Sequence, residues 1–600
     1  MNNRLVSLFI LGSFCVTGWA QDWSAMRGAW KRENQYRFQW DIDDTDLSAV
    51  IGLRVDAEGT VESMWEAWVA PPNENGFSPR MYVSSGGTVG YAAQTFKDGE
   101  MHLFWMPRNG GGGGGHVSAK LSKDGVSTEQ RGGMSLGPNG FSENTGLKIG
   151  LTKLPNSDVK GWKTLRALRE SGVIKMSDPN ETSLFEPRLE PLLGRWQSTR
   201  PDGSLALEIL WRPSCQGAFL VERYAFFDEA GRVTASGLNI SGKDPFSDQF
   251  LMWGNSDQGF HQKGGWDFKG DKSFIQREGN HRLVRNLKKD GTIQAHWEQR
   301  VNGEYQKGKD SQSYRLTKVP SSDEALSVIE THIDRFVTVF NRGDLPELKK
   351  LYAKDIVKVT SRSRNPLIGW DAVRADFEGR AGAADKLKAK VLRASFLTPE
   401  YVMGSGEFMF VGPDGKTKAA GKWGNVFRIE NGRCLLVQEA AFLNRIEGAA
   451  FDASGWELGS VQADRLTKSE RSAYRSADLS IADYVEGWKR REVGALVDVF
   501  HHAAIRSVSG VEGVRWNHAS IERSFKEELA GSIGQQSPEL EAVTLGARPI
   551  GGRMVMAFGQ WQGKSKEGGR VTEGGLWGNV LLQDGDQVKI ILESAGVYQP

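Results

Sequence analysis

Gly421-Lys422-Trp423-Gly424-Asn425-Val426 returns near the C-terminus as Gly575-Leu576-Trp577-Gly578-Asn579-Val580, and Glu439-Ala440-Ala441 returns at the same spacing as Glu593-Ser594-Ala595. A motif that recurs together with a second motif at a fixed offset marks a duplicated domain. The N-terminal half carries its own duplication. Gly28-Ala29-Trp30 pairs with Gly194-Arg195-Trp196, and Leu151-Thr152-Lys153-Leu154-Pro155 pairs with Leu316-Thr317-Lys318-Val319-Pro320. Two duplications in series predict four domains, and 600 residues at roughly 150 per domain agree. The boundaries expected are a leader at 1–20, β-barrel-like domains at 21–155 and 189–320 joined by a helical linker at 156–188, and α+β domains at 321–446 and 474–600 joined by a linker at 447–473.

Both copies in the N-terminal half alternate short β-rich runs with turn signals such as Asp98-Gly99, Asp124-Gly125, Asp202-Gly203 and Asp290-Gly291, the pattern of an all-β barrel or sandwich. The Gly-x-Trp that opens each copy, Gly28/Trp30 and Gly194/Trp196, resembles the start of lipocalin-like barrels, where the Trp closes one end. A barrel of about eight strands encloses one small ligand, and an aromatic interior suits an apolar one. The chain has 20 tryptophans, among them Trp40, Trp65, Trp68, Trp105, Trp211, Trp253, Trp266 and Trp297 within the barrels, and rings that simply fill the core are the favoured reading. The run Gly110 to Gly115 lacks the Lys and Ser/Thr of a phosphate loop and reads as a loop tip. Asp158 to Met176 reads as a basic amphipathic helix docked between domains.

The third segment runs as a helix from Ala325 to Asn341, a turn at Gly343-Asp344-Leu345, a step Tyr352-Ala353-Lys354-Asp355, a second helix opened by Gly369-Trp370-Asp371-Ala372-Val373-Arg374, and long strands from Lys388 onward. In this order the segments resemble the nuclear transport factor 2-like superfamily, particularly its SnoaL-like members. The fourth segment repeats the pattern more loosely. The resemblance implies a curved antiparallel sheet wrapped by helices around a pocket, and a pocket carboxylate serving as general base when burial raises its pKa.

The candidate acids are Asp355, Glu407 and Glu439. Glu407 alternates along its strand with Tyr401, Met403, Ser405 and Met409, and Glu439 alternates with Leu435 and Val437, so each is expected on a mostly apolar, pocket-lining face. Tyr352, Trp370, Met403, Ser405 and Trp423 are the candidate ligand-binding residues. In the fourth segment Asp355 becomes Ala503 and Glu407 becomes Gln560, while Glu439 survives as Glu593, so that segment is not expected to catalyse. The opposing reading makes Asp355 a turn cap, Glu407 a surface ion-pair partner, Glu439 a domain anchor, and Trp423 and Trp577 core rings. His501-His502 point apart on any regular element, so no metal site is expected. No nucleophile elbow, paired Cys/His spacing or dinucleotide fingerprint occurs, and no cofactor is expected.

Two classes of function follow. The favoured one is an exported, non-catalytic protein that binds a small apolar molecule or a protein partner. The other is a cofactor-independent isomerase, cyclase or hydratase using a pocket carboxylate in 321–446. A pocket plugged by Tyr352, Trp370 or Trp423 would favour the first.

A net charge of +2, from 76 basic and 74 acidic residues, supplies no global field for nucleic acid or acidic membranes. Arg4, the apolar run Leu5 to Val16 and small residues at Gly18 and Ala20 form a secretory signal peptide, which implies a periplasmic or extracellular protein. Phe14 before Cys15 argues against a lipid anchor, and no other apolar run reaches the roughly 20 residues of a membrane span. After cleavage Cys215 and Cys434 remain, read as two isolated thiols in separate domains. N-terminal sequencing of the native protein is expected to begin near Gln21; finding Met1 would refute export by this leader.

Overall fold

The computed structural model describes residues 28–41, 48–69, 78–85, 89–97, 100–107, 114–121, 127–131, 134–137, 140–143, 149–154, 161–176, 186–215, 217–229, 231–243, 249–256, 261–308, 313–445, 451–461, 466–566, 569–584 and 587–599. The expected leader, the expected turns at Asp98-Gly99 and Asp124-Gly125 and most of the glycine run lie outside the described residues. The chain divides into two compact units, one of 1–40, 47–82 and 90–175, the other of 41–46, 83–89 and 176–600. Among the described residues no helix is long and apolar enough to cross a membrane.

In the first unit, consecutive antiparallel strands from Gly28–Arg32 to Ser127–Arg131 and the strand Ile149–Lys153 close into a barrel of ten, with a hairpin of Met134–Gly137 and Gly140–Glu143 attached to Gly114–Leu121. Closure comes from Ile149–Lys153, which pairs with Gly28–Arg32 on one side and Ser127–Arg131 on the other. The helix Gly161–Glu170 buries Leu165 completely. The residues after it return to this barrel, where Lys175 donates its backbone N–H to Gly59 at 2.8 Å.

The second unit begins with another ten-stranded closed barrel, from Gly194–Thr199 to Ser313–Val319, with the short strand Glu304–Lys307 appended. The all-β barrel-or-sandwich expectation is thus met by a closed barrel of ten strands. Trp196 donates Nε1–H to the Leu192 carbonyl at 2.8 Å, tying the 3-10 turn Pro187–Leu192 to the barrel. Its ring joins Trp211, Trp266, Met252 and Phe274 in one buried cluster, the core-filling role favoured for these rings.

Two α+β modules complete this unit, and each element of one has its counterpart in the other. A capped long helix, Ser322–Arg342 or Lys468–Arg490, opens each. The first helix stops on Gly343 at φ 75°, where a β-carbon would come within 3.2 Å of the Ala381 carbonyl. The second stops on Arg491 at φ 58°, a strained position for a residue with a side chain, offset by a guanidinium hydrogen bond to the Gly534 carbonyl at 2.7 Å. Both sheets then share one strand order. In the first it runs Leu367–Ile368, Tyr352–Thr360, Arg433–Leu443, Thr417–Glu430, Tyr401–Val411, Lys386–Phe396; in the second, Arg515–Trp516, Phe500–Val508, Gln587–Val597, Val571–Asp584, Met554–Lys564, Glu539–Pro549.

The modules pack sheet against sheet, with helices outward. Met403, Val426, Leu435 and Val437 meet Ile505, Met556, Val580 and Leu592 in one shared core. The repeated Trp-Gly-Asn explains the arrangement. Trp423 and Trp577 enter their own module's core, while Gly424 faces Ser594 and, reciprocally, Gly578 faces Ala440, so the sheets approach closely at two equivalent points. Asn425 Oδ1 accepts from the Ala440 N–H at 2.9 Å, and Asn579 Oδ1 accepts from Ser594.

The segment 447–473, expected as a linker, is partly built into the fold. Trp456 is buried, lies against Gly574 and pairs with the rings of Phe451 at 5.5 Å and Tyr598 at 5.8 Å, and the long helix already begins at Lys468.

Gly406 and Gly559 lie beneath the Trp423 and Trp577 rings. A β-carbon at Gly559 would sit 2.0 Å from the Val543 carbonyl oxygen and 2.5 Å from the Trp577 ring. Gly559→Ala is therefore expected to destabilise the second module by about 1–3 kcal/mol, measured by hydrogen exchange of its core amides. Unchanged protection would show that the ring and strand move apart freely.

Candidate functional site

The last strand of each module carries a bulge. Val426 pairs with Gln438 but Phe427 with Leu436, leaving Val437 extra, and Val580 pairs with Leu592 but Leu581 with Ile590, leaving Ile591 extra. The extra residue reverses the alternation. Leu435 and Val437 face the partner module, while Glu439 faces the module's own interior beside Leu436 and Ala441. The simple alternation expected for Glu439 is thus corrected: it does face inward, on the opposite face from Leu435 and Val437.

Inside the first module Glu439 is fully engaged. It accepts a hydrogen bond from the Tyr352 hydroxyl at 2.7 Å and pairs with the Lys358 ammonium at 2.9 Å. Lys358 also reaches Asp376 at 3.0 Å and lies 3.8 Å from the Phe377 ring centroid. Burial works against the charge on Asp376, but Lys358 and Arg380 hold its carboxyl below the usual range. Burial and the adjacent Glu439 push the Tyr352 hydroxyl well up, so it stays a donor. Tyr352 packs against Trp370 at 5.4 Å and Phe377 at 6.1 Å, and Phe340 against Phe410 at 6.1 Å.

The second module builds the same cluster with different chemistry. Arg506 replaces Lys358. Its Nε donates to Glu593 at 2.6 Å, Nη1 to the Ser524 hydroxyl at 2.9 Å, and Nη2 to Glu528 at 3.1 Å and to the Tyr484 hydroxyl at 3.2 Å. Burial opposes its charge, yet Glu528 and Glu593 hold the guanidinium above its ordinary value. Burial pushes the Glu593 carboxyl up against the pull of Arg506. A cavity of about 110 Å3 opens on this cluster. Ile481, Trp488, Leu540, Trp561 and Trp577 supply its apolar wall, and Tyr484, Arg506, Glu528, Glu573, Asn579 and Glu593 its polar one. Glu573 is buried, with an Arg445 ion pair at 3.3 Å; burial raises its carboxyl pKa against the pull of Arg445.

The structure therefore brings together Tyr352, Trp370 and Glu439, and separates the other sequence candidates. Asp355 is exposed and tied across the module interface to Arg548 at 2.5 Å, because the strand bulges between Tyr352 and Val357. Glu407 is exposed: it lies on the sheet face turned toward the second module, beyond the packed region, opposite Lys422. Met403, on the same face, sits in the intermodule core, and the Ser405 hydroxyl donates to the Trp423 carbonyl at 2.9 Å. Trp423 is a core ring. Met403 also lines a second cavity of about 100 Å3, together with Arg195, Glu208, Arg223, His501 and Arg553.

Sequence reasoning missed Lys358, Asp376, Arg506, Glu528 and Glu573. A usable signal was present: a basic residue amid apolar strand positions, at Lys358 and again at Arg506, facing an acid kept in both copies. Cys215 and Cys434 are not joined in a disulfide, and burial pushes the Cys434 thiol up to about 12, too high for a nucleophile. Among the described residues no group of three His, Cys, Asp or Glu side chains could hold a metal ion.

Tyr352→Phe is expected to cost about 1.5–3 kcal/mol, the value of a hydrogen bond to a charged group. Lys358→Met should cost more, about 3–5 kcal/mol, because Glu439 and Asp376 stay buried without their cation. Denaturant unfolding followed by tryptophan fluorescence checks the order; equal, small effects would contradict the network.

Residues 333–437 match the family model of the SnoaL-like domain. No curated protein matches the chain. Among solved structures it is similar to an NTF-2 like protein of unknown function from Shewanella oneidensis MR-1 (16% identity, covering 19% of this chain and 97% of that one, TM-score 0.18). Another is a ketosteroid isomerase-like protein from Erwinia carotovora atroseptica (17% identity, 21% and 99% covered, TM-score 0.18). A third is an NTF2-like protein of unknown function from Pseudomonas putida KT2440 (18% identity, 23% and 95% covered, TM-score 0.19). The first α+β module thus contains a SnoaL-like domain at 333–437.

Proposed function

We propose that the protein is a non-catalytic binding protein whose principal ligand site is the cavity of the second α+β module. The observation that carries this reading is the pairing of a tryptophan-walled cavity with an ionic cluster whose members saturate one another. Arg506, Glu528 and Glu593 hold the cavity floor in place, and Glu439 in the first module is committed to Lys358 and Tyr352. A carboxylate held by a cation and a hydroxyl is poorly placed to take a proton from a substrate. The volume compares with the ~150 Å3 apolar cavity that admits benzene, so the ligand class is a small, flat, mostly apolar molecule with one polar group.

The wider architecture is read the same way. The second module is a further SnoaL-like domain, by its repeat and shared strand order. The barrels are lipocalin-like, by their Gly-x-Trp starts and closed antiparallel meanders. The leader at 1–20 exports the chain to the periplasm or beyond, and the domain limits are those drawn from the repeats, with the start of the second module moved from 474 to the helix cap Thr467.

One observation favours a second reading, proton transfer as in an isomerase. Glu573 faces the cavity with its carboxyl raised by burial and stands outside the Arg506 cluster's direct bonds. Native mass spectrometry of the purified protein should reveal a bound small molecule, and Trp561→Ala should weaken its retention by about tenfold or more. Retention unaffected by Trp561→Ala would remove this cavity as the site. A turnover lost in Glu573→Gln would favour the enzyme instead.

A further inference from the structure

The two barrels treat buried arginine in opposite ways. In the second, Arg285 lies fully buried between the Trp211 and Trp266 rings, at 5.4 and 5.5 Å. Glu222 neutralises it at 2.9 Å, and Gln276 accepts a further bond at 2.6 Å. In the first, Arg80 is 4% exposed, lies 5.3 Å from the Trp65 ring centroid and donates to the Gln94 side chain at 2.9 Å. Gln94 carries no charge. Arg37 pairs across its strand with Trp30, the repeat partner of Trp196, whose ring belongs to the interior cluster of the second barrel. Arg37 thus points into the lumen. The Nε atoms of both Arg37 and Arg80 are buried without an acceptor. Neither guanidinium has a carboxylate partner among the described residues.

We propose that the lumen of the first barrel is a binding site for a small organic carboxylate, held by the Arg37 and Arg80 guanidiniums. A buried guanidinium such as Arg80, with the half-buried Arg37 beside the same interior, is unfavourable without a counter-charge unless an anion joins it. The planar guanidinium fork matches a carboxylate in two parallel hydrogen bonds. Burial lowers Arg80 to about 9, with Arg37 adding to the effect. Beside them, Trp65 and Tyr82 pack against Val50, Ala67 and Val69, an apolar wall for the ligand's organic part. This site is separate from the cavity of the second α+β module and does not depend on that cavity's role.

Calorimetric titration of the full chain with sodium octanoate, 1-octanol and inorganic phosphate at fixed ionic strength tests the proposal. Octanoate should bind, and 1-octanol and phosphate should bind about tenfold or more weakly. Arg37→Gln and Arg80→Gln should each weaken octanoate by about tenfold or more, while Leu479→Ala, at an exposed position outside both sites, leaves it unchanged. Without ligand, Arg80→Gln should melt at or above the temperature of the parent, because it removes an uncompensated buried charge. A fall of several degrees makes Arg80 structural and overturns the proposal. Equal binding of octanoate and 1-octanol, or unchanged affinity in both arginine variants, also overturns it. Phosphate binding as tightly as octanoate would replace the organic carboxylate by a free oxyanion.

Discussion

One extra residue in the last strand of each α+β module, Val437 or Ile591, governs the chemistry of both. Without it, strand alternation would send Glu439 and Glu593 to the face where the two sheets meet. With it, each carboxylate turns into its own module. A buried carboxylate needs a cation and hydrogen bonds. Lys358 and Arg506 answer that need from the adjoining parallel strand, which also brings Tyr352 to Glu439, and helices contribute Asp376, Tyr484, Ser524 and Glu528. Asn425 and Asn579 stand opposite the turned acids and bond the following backbone N–H, which holds this part of the strand in register.

From this shared frame the two interiors have diverged by exchanging single groups. Phe336 and Tyr352 in the first module correspond to Tyr484 and Phe500 in the second, so one hydroxyl has moved between two rings that touch in both. Asp376 and Arg380 correspond to Ser524 and Glu528, so the helix-borne acid has moved by one turn. In the first module a compact ammonium and packed rings surround the acid. In the second, a guanidinium spreads four partners across the floor and a cavity lies above it. The sequence expectation placed the site in the first module, on the strength of retained acids; the tryptophan-walled cavity lies in the second.

The sequence was legible wherever a local pattern decided the structure. The long helix of the first module, the glycine turn at Gly343 and the Trp-Gly-Asn repeat follow from steric and hydrogen-bonding rules that act over a few residues. The candidate site was legible only in part. Tyr352, Trp370 and Glu439, all among the candidates, meet in the structure, whereas Glu407 needed knowledge of which sheet face is covered, and by what. Bulges at Tyr352–Val357 and at Val437 shift the two strands that supply Asp355 and Glu439, and nothing in residue spacing announces an unpaired residue. Arg548, which holds Asp355, lies far along the chain.

That last contact shows what covalent duplication permits. In a symmetric dimer every contact occurs twice. Here Gly424 with Ser594 and Gly578 with Ala440 keep that reciprocity, but the Asp355–Arg548 pair has no twin. Its equivalents are Ala503 and Ser395, which cannot pair, and both line the second cavity together with Met403 and Ile591. The place filled by an ion pair on one side of the module interface is thus open on the other. There the second barrel packs, with Arg195 donating to the Phe396 carbonyl and Gly203 accepting from the Gly552 N–H. Joining two modules in one chain frees one half from keeping the pair, and the surface without it seats a different domain.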